Sequence, residues 1–165
     1  MSLSVISMTN KNLPYRKSNR VTEFDYSSER AYFTTICTHN KNKTFNDTTL
    51  VVQLVDLLKT YEDKLKFKVY VYCFMPDHLH LLINPADSGK SIPSIIGGYK
   101  SLSTKIAWKQ GIKGKLWQSR YYDHILRKNE DLMDVGTYIL NNPVRKSLVG
   151  KWEDYPFCGI IDSWQ

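Results

Sequence analysis

The chain has 165 residues, a formal net charge of +7 and three cysteines. This length fits one domain with a substantial core, and the sequence contains no internal repeat that would predict a second unit. The odd cysteine count, without Cys-x-x-Cys spacing, argues against a disulfide framework and a cysteine-based zinc site, while the positive charge favours a polyanionic partner.

Residues 1–20, "MSLSVISMTNKNLPYRKSNR", contain neither the apolar core of a secretory signal nor the ~20 apolar residues of a membrane span. We therefore expect a cytoplasmic protein that has no membrane partner. Residues 1–20 are expected to form a mobile basic arm, and its first three residues resemble a remnant of cloning. Residues 21–165 are expected to form the single domain.

The first half of this domain predicts a strand, a helix and a hairpin. Aromatic and β-branched residues over 31–39 favour a strand. Apolar residues at helical spacing over 47–65 predict a helix with one buried stripe. Residues 66–75 and 78–84 are then predicted to form two strands, and the Pro-Asp pair between them is typical of a tight turn.

The second half predicts two helices separated by a strand. Pro93 suits the first turn of a helix whose apolar residues again follow helical spacing. Residues 116–127 interleave aromatic and basic side chains and are predicted to form a strand. Asn129 and the acids after it should begin a third helix, which runs to about Asn142 because Pro143 disfavours its continuation. The remaining residues are expected to cap the domain.

The order of these elements predicts the fold class. Strands interrupted by single helices around a central hairpin are typical of the α+β class and of the ferredoxin-like split β-α-β arrangement. We expect an antiparallel sheet of four to five strands with helices mainly on one face. The other face should then be free for function.

Two histidines, His78 and His80, stand one residue apart in the third predicted strand. Because side chains alternate along a strand, both imidazoles should lie on one face, while Leu79 and Leu81 enter the core. Their Cα atoms should be roughly 6.6–7 Å apart, which lets two imidazoles converge on one cation. A solvated or hydrogen-bonded pair of histidines is the alternative.

The third helix offers further residues for such a site. At 100° per residue, Tyr138 and Asn142 lie nearly in line along one flank, whereas Asn141 points elsewhere. The amide oxygen of Asn142 could join the two imidazoles around Mg²⁺ or Mn²⁺ and leave positions for phosphate oxygens. Tyr138 would then stand where a nucleophile can approach a metal-held phosphate. A packing role for this tyrosine is the alternative.

Three motifs add a family resemblance: "MPDHLHLL", "GKLWQSRYYDHILR" and "YILNNPVRKSLV", in that order. Together with the opening "DYSSERAYFTTICTHN" they resemble the REP-associated tyrosine transposases, a branch of the single-tyrosine transposases within the HUH endonuclease superfamily. The resemblance spans about residues 16–159 and makes the expected domain an HUH-type transposase or endonuclease domain.

The resemblance implies an enzyme that cleaves and rejoins single-stranded DNA, often beside an imperfect hairpin, with a divalent metal. The metal histidines of the family match His78 and His80, its catalytic tyrosine matches Tyr138, and its polar ligand matches Asn142. A related group has glutamine at the last position. Family members link the tyrosine to a DNA 5′ phosphate and leave a 3′ hydroxyl that can reverse the reaction without ATP. The resemblance allows a monomer or a homodimer, and it implies association with the nucleoid in a bacterial cell.

Ten residues are predicted to contact single-stranded or hairpin DNA, because basic groups contact phosphates and aromatic rings stack on bases. They are Lys100, Ser103, Thr104 and Lys105 in the second helix, and Trp117, Arg120, Tyr121, Tyr122, His124 and Arg127 in the fourth strand. Tyr121 and Tyr122 are also rival nucleophiles, although they lack the helical amide partner of Tyr138.

Two other functions stay open at this point. A hairpin-DNA-binding protein without catalytic activity would need only the basic charge and the aromatic segment. A zinc-dependent hydrolase would use the histidine pair to activate water, but the chain has no HxHxDH or HExxH pattern.

Overall fold

The computed structural model describes residues 30–127 and 132–163. The basic arm predicted at 1–20 and the helix start predicted at Asn129 lie outside the described residues. The elements are β1 (Tyr32–Cys37), α1 (Thr48–Leu65), β2 (Lys68–Met75), β3 (His78–Asn84), α2 (Ile92–Lys109), β4 (Tyr122–Ile125), α3 (Leu132–Leu140), α4 (Asn142–Arg145) and β5 (Cys158–Ile160).

The strands form one sheet in the order β4-β1-β3-β2-β5, and every neighbouring pair is antiparallel. The central strand β3 pairs with β1 on one side and with β2 on the other. The predicted α+β class with an antiparallel sheet of four to five strands is confirmed.

The first face of the sheet carries the larger core, beneath α1 and α2. Leu79 and Leu81 of β3 enter this core, as predicted, and Leu54 and Leu58 of α1 meet them there. Helix α1 begins where the sequence predicts it, because the Asp47 carboxylate accepts a hydrogen bond from the Leu50 amide.

The second face is partly covered, contrary to the expectation that it would be free. Helix α3 packs on it, and Val135 and Ile139 bury their side chains in a second core that includes Phe33 and Leu82. The apolar stripe of α3 needs a partner, and Val71, Cys73 and Met75 of β2 provide most of it. A cavity stays open at one end of this face, beside His78.

The fourth strand is shorter than predicted: it covers Tyr122–Ile125 and not all of 116–127. Leu116 and Trp117 are buried in the first core, and only an isolated bridge from Trp117 to Thr38 joins this segment to the sheet. The carboxy-terminal segment that was predicted to cap the domain supplies β5 as an edge strand.

Two adjacent glycines of α2 provide a matched test of packing. A methyl group on Gly98 would lie 2.0 Å from the Tyr61 hydroxyl oxygen, whereas one on Gly97 would meet nothing within 4 Å. Gly97→Ala is expected to stabilise the protein by about 0.5–1 kcal/mol, because alanine favours the helix. Gly98→Ala should instead destabilise it by about 1–3 kcal/mol, because Tyr61 must move. Urea denaturation measures both, and equal effects would contradict the close approach.

Glu62 and Asp162 form a carboxyl pair between α1 and the end of β5. Each accepts a hydrogen bond from the Val69 amide at 3.0 Å. Burial of Glu62, followed by its hydrogen bond with Asp162, raises its pKa from 4.5 to about 8. Glu62 therefore keeps a proton in the folded protein at neutral pH.

We expect this pair to make the protein less stable as the pH rises. Because the folded pKa lies above the unfolded one, the stabilising contribution is complete below about pH 4.5 and is lost progressively up to about pH 8. Glu62→Gln should remove this part of the decline, while Asp87→Asn, an exposed control, should keep it. Thermal unfolding at pH 5, 7 and 9 measures the difference, and an unchanged decline in Glu62→Gln would refute the assignment.

Among the residues that the structure describes, no helix has the length and apolar character needed to cross a membrane.

Candidate active site

His78 and His80 lie side by side on the second face, as predicted. His78 stands opposite Cys37 of β1, and His80 stands opposite Thr35. Their ring centroids are 4.5 Å apart, and their Nε2 atoms are 3.0 Å apart. We call these two side chains the imidazole pair, and their Nε2 atoms lie within hydrogen-bonding distance of each other.

The other nitrogen of each ring is held by a neighbour. His78 Nδ1 lies 2.5 Å from Asp77 Oδ1 and donates to it, because a carboxylate only accepts. His80 Nδ1 lies 2.8 Å from Thr35 Oγ1, and a hydroxyl can either donate or accept. Asp77 and Thr35 thus orient the rings and allow both Nε2 atoms to carry lone pairs. Metal-binding histidines have this kind of support on their second nitrogen.

Burial lowers the pKa of both imidazoles. For His78, burial is the largest cause, the hydrogen bond and charge of Asp77 oppose it, and two lysines add to the lowering. His80 is only 6% exposed, and its pKa falls well below 6.5 because of burial and then the charges of His78 and Arg145. Both rings are therefore mainly neutral at neutral pH, which is the form that binds metal cations.

Tyr138 of α3 lies close to the imidazole pair on the same face. Its half-buried ring packs edge-on against Phe33, with ring centroids 6.4 Å apart. The ring of Phe33 in turn lies 5.3 Å from that of His80. One phenylalanine ring therefore contacts both the predicted nucleophile and a predicted metal ligand.

Arg145 of α4 holds Tyr138 from another side. Its guanidinium carbon lies 3.7 Å from the centre of the phenol ring, a cation–π contact. Its two terminal nitrogens donate to the Tyr138 carbonyl at 2.8 Å and to Asn142 Oδ1 at 3.2 Å. Arg145 therefore ties the end of α3 to the start of α4.

Asn142 does not continue the helix that carries Tyr138. Helix α3 ends at Leu140, and Asn142 begins α4 with Pro143 in the first turn. The predicted third helix is thus shorter, and the proline starts a new helix where it cannot extend the old one. Asn142 is 5% exposed and its amide oxygen faces Arg145. Its role as a metal ligand stays a prediction.

A cavity of about 380 Å³ opens beside His78, at the end of β1. Three lysines line it, Lys41, Lys43 and Lys146, and we call it the lysine pocket. The charges of Lys41 and Lys146 reach His78, because they contribute to the lowering of its pKa after burial. Among the described residues of its lining, Asp77 is the one carboxylate, so positive charge is in excess and the pocket favours an anionic group next to the imidazole pair.

Two of the ten predicted DNA contacts lie in the core. Ser103 is 0% exposed and Trp117 is 4% exposed. Trp117 Nε1 donates to Ser103 Oγ at 2.8 Å, and this hydroxyl donates to the Tyr99 carbonyl at 2.7 Å. Ser103 presents no surface to DNA, so the prediction is wrong for this residue. Trp117 uses its indole N–H within the protein but lines a surface cavity, so its contact with DNA stays a prediction.

The second helix keeps three of its predicted contacts at the surface. Lys105 is exposed, and Lys100 and Thr104 are partly exposed. Lys100 Nζ donates to two carbonyls of the loop before β4, at 2.6 and 3.1 Å. These three side chains line a cavity of about 540 Å³, together with Trp108, which is 54% exposed and which the sequence did not single out.

The residues predicted on the fourth strand divide between the two faces. Tyr122 and His124 are opposite Thr35 and Phe33, so they share the face of the imidazole pair. Tyr121 packs against the first core. The two arginines, Arg120 and Arg127, are exposed.

The sequence analysis missed Thr35, Arg145 and the lysine pocket. Arg145 follows Asn142 by three residues, a helical spacing that could have paired them. Lys41 and Lys43 share the loop after β1, but Lys146 follows α4, and no sequence pattern connects it with the other two. In the parts of the chain that the structure covers, 30–127 and 132–163, no group of three or more His, Cys, Asp or Glu residues is placed to hold a metal.

Known proteins match most of the chain. The family model described as "Transposase IS200 like" matches residues 27–142. An uncharacterized protein of Haemophilus influenzae is 28% identical, in an alignment that covers 82% of this chain and 92% of that protein. The REP-associated tyrosine transposase of Escherichia coli is 22% identical over 132 residues, which cover 80% of this chain and 77% of that protein.

The fold also matches a solved structure, that of a REP-associated tyrosine transposase bound to a REP hairpin. The TM-score is 0.64 at 20% sequence identity, and the match covers 82% of this chain and 79% of that one. The resemblance indicated by the sequence motifs is confirmed.

Proposed function

Because the chain belongs to the IS200-like transposase family, we propose that it cleaves and rejoins single-stranded DNA with a divalent metal and Tyr138 as the nucleophile. Its proposed substrate is hairpin-forming repeat DNA, the kind of partner that the structural relative holds. The observation that carries the proposal is the common face of Tyr138 and the imidazole pair, on which Tyr138 and His80 both contact Phe33. Covalent phosphoryl transfer needs a nucleophile and charge stabilisation at the same place.

The imidazole pair fits a divalent cation. Its Nε2 atoms are 3.0 Å apart, which is about the separation of neighbouring corners of an octahedron with bonds of about 2.1 Å. Asn142 is the proposed third ligand, and two nitrogen ligands favour Mn²⁺ over Mg²⁺. The cation, when bound, would neutralise charge on the phosphate oxygens.

Tyr138 performs the covalent step in this proposal. Its phenolic oxygen attacks phosphorus, an oxygen–phosphorus bond forms, and the bond from phosphorus to the 3′ oxygen of the preceding nucleotide breaks. The phenol proton passes to water and the 3′ oxygen takes a proton from water, so the step neither consumes nor releases protons overall. One phosphoester replaces another, and the new 3′ hydroxyl can therefore attack the phosphotyrosine and restore a strand.

Arg145 positions the nucleophile. It stacks on the ring of Tyr138 and bonds the backbone of the same residue, so the phenol has little freedom to turn away. The guanidinium is also a fixed positive charge next to the place where a phosphate would react.

The experiment that tests the proposal is a denaturing gel. A REP-type hairpin oligonucleotide with single-stranded flanks, labelled at either the 5′ or the 3′ end, is incubated with the protein and Mn²⁺. The 3′-labelled part should migrate with the protein, the 5′-labelled part should be released, and mass spectrometry should find the adduct on the peptide with Tyr138. If the hairpin binds equally well with and without a metal chelator and no adduct forms, the protein would instead be a DNA-binding protein without catalytic activity.

Asp77→Asn tests the support of the metal site. The neutral amide still accepts from His78 Nδ1 but no longer makes the ring a stronger ligand, so Mn²⁺ affinity should fall about 10- to 100-fold. Cleavage should recover when Mn²⁺ is raised. Calorimetric titration with Mn²⁺ measures the affinity, and an unchanged value would show that Asp77 only closes the turn.

A further inference from the structure

The groups of the site follow one another along β1. Phe33, in contact with Tyr138, is followed on the same face by Thr35 and Cys37, which lie opposite the imidazole pair. Alternate residues of a strand are about 6.6–7 Å apart. After Cys37 the chain leaves the sheet, and Lys41 and Lys43 of the following loop line the lysine pocket. The imidazole pair therefore lies between Tyr138 and the lysine pocket.

The turn that carries Lys41 is held in an uncommon backbone conformation. Asn40 and Lys41 both have positive φ, 54° and 52°, which costs about 1–3 kcal/mol for each residue that is not glycine. The buried Thr38 hydroxyl lies 2.7 Å from the Asn42 carbonyl and 3.0 Å from the Asp77 carbonyl. The turn is thus fixed to the hairpin that bears the imidazole pair.

The end of helix α4 directs two successive cations to different parts of the site. Arg145 stacks on Tyr138, while the next residue, Lys146, lines the lysine pocket. Positive charge is therefore present on both sides of the imidazole pair. A DNA strand that crosses the pair meets Arg145 on the nucleophile side and the lysines on the other.

The displacement at phosphorus places different parts of the DNA on the two sides of the imidazole pair. In a displacement at phosphorus, the attacking and leaving oxygens lie roughly in line on opposite sides. If Tyr138 attacks, as the proposed function requires, the leaving 3′ oxygen points away from Tyr138 and towards the lysine pocket. Resting on that function, we propose that the lysine pocket binds backbone phosphates of the DNA segment on the 5′ side of the cleaved bond.

This assignment gives the pocket a task after cleavage. The segment on the 5′ side ends in the free 3′ hydroxyl and has no covalent bond to the protein. Three ammonium groups around the pocket keep this segment beside the phosphotyrosine, where its hydroxyl can rejoin the strand. The lysine pocket therefore decides between rejoining and release.

The test combines lysine removal with neutralisation of single phosphates. The cleaved bond is mapped with the unchanged protein, and methylphosphonates are then placed one at a time at the three phosphates on each side of it. Binding is measured with Tyr138→Phe protein, with and without Lys41→Ala and Lys43→Ala. Neutralising a 5′-side phosphate should weaken binding about three- to tenfold when the lysines are present and have little further effect without them.

A matched control and a second measurement complete the design. Lys59→Ala, on the exposed side of α1, should leave the pattern unchanged. In protein that keeps Tyr138, the double lysine variant should release the 3′-hydroxyl strand faster and form less rejoined product, while the covalent adduct accumulates.

The outcomes separate this inference from the proposed function. The pocket assignment is wrong, and the proposed function stands, if an adduct forms but the lysine variants change only the effect of neutralising 3′-side phosphates. The same conclusion follows if neutralising any phosphate weakens binding equally with and without the lysines. If the unchanged protein forms no adduct on any hairpin tested, the proposed function fails and the assignment to the 5′ side falls with it.

Discussion

Tyr138→Phe is expected to abolish the covalent adduct and to reduce DNA cleavage by at least ~10³-fold, because it removes only the nucleophilic oxygen. The phenylalanine ring can keep its contact with Phe33 and its place beside the Arg145 guanidinium. Folding and hairpin affinity should therefore change little. Single-turnover cleavage with Mn²⁺ on a denaturing gel measures the loss, and a gel-shift assay with the same hairpin measures the affinity.

Tyr122→Phe is the matched comparison for this variant. Tyr122 lies on the same face as the imidazole pair, opposite Thr35. Of the two rival nucleophiles in the sequence motif, it is therefore the one on the face of the candidate site. This variant should keep the adduct, whatever it does to DNA affinity. An adduct that persists in Tyr138→Phe and disappears in Tyr122→Phe would exchange the two roles and leave Tyr138 as a packing residue.

Much of the fold around the site follows from short-range periodicity. Strand β3 has the predicted bounds of 78–84. The alternation of His78 and His80 with core leucines needed no tertiary information, because a strand has a period of two. Helix α1 was predictable for a similar reason, since its apolar stripe repeats with the helical period.

The position of α3 could not be predicted in this way. Val135 and Ile139 mark its apolar stripe, but nothing in the helix says which sheet face it will cover. Phe33 and Leu82 make the second face apolar in part, and this property emerges only when neighbouring strands are in register. A face expected to be free therefore became a second core with the imidazole pair at its edge.

Aromatic–basic composition was a poor guide to the surface for a related reason. Trp117 and Ser103 are 14 residues apart in sequence and meet beneath α2, where the indole N–H donates to the Ser103 hydroxyl. An indole that finds a buried acceptor can enter the core as readily as it can stack on a base. Composition alone does not separate these two fates.

The residues of the candidate site also divide into those that local sequence patterns predict and those that only the fold brings together. The imidazole pair and Tyr138 were predicted because their spacing and motifs are local. Arg145 and the lysine pocket come from loops and helix ends that only the fold brings together. Long-range electrostatics was therefore the part of the site that the sequence did not reveal.

His78→Ala is expected to remove Mn²⁺ binding and to lower cleavage about 10²- to 10³-fold while hairpin binding persists. His78 is partly exposed at the mouth of the lysine pocket, so its loss should disturb packing little. Calorimetric titration with Mn²⁺, a gel-shift assay and single-turnover cleavage measure the three effects on the same preparation.

His80→Ala should show the same loss of metal together with a loss of stability. The His80 ring is buried, contacts Phe33 and is hydrogen-bonded to Thr35, so its removal should cost about 1–3 kcal/mol. The two variants thus separate metal chemistry from packing, because only the first effect should be common to both. If Mn²⁺ binds His78→Ala and His80→Ala as tightly as it binds the unchanged protein, the cation sits elsewhere and the imidazole pair is a structural element of the second core.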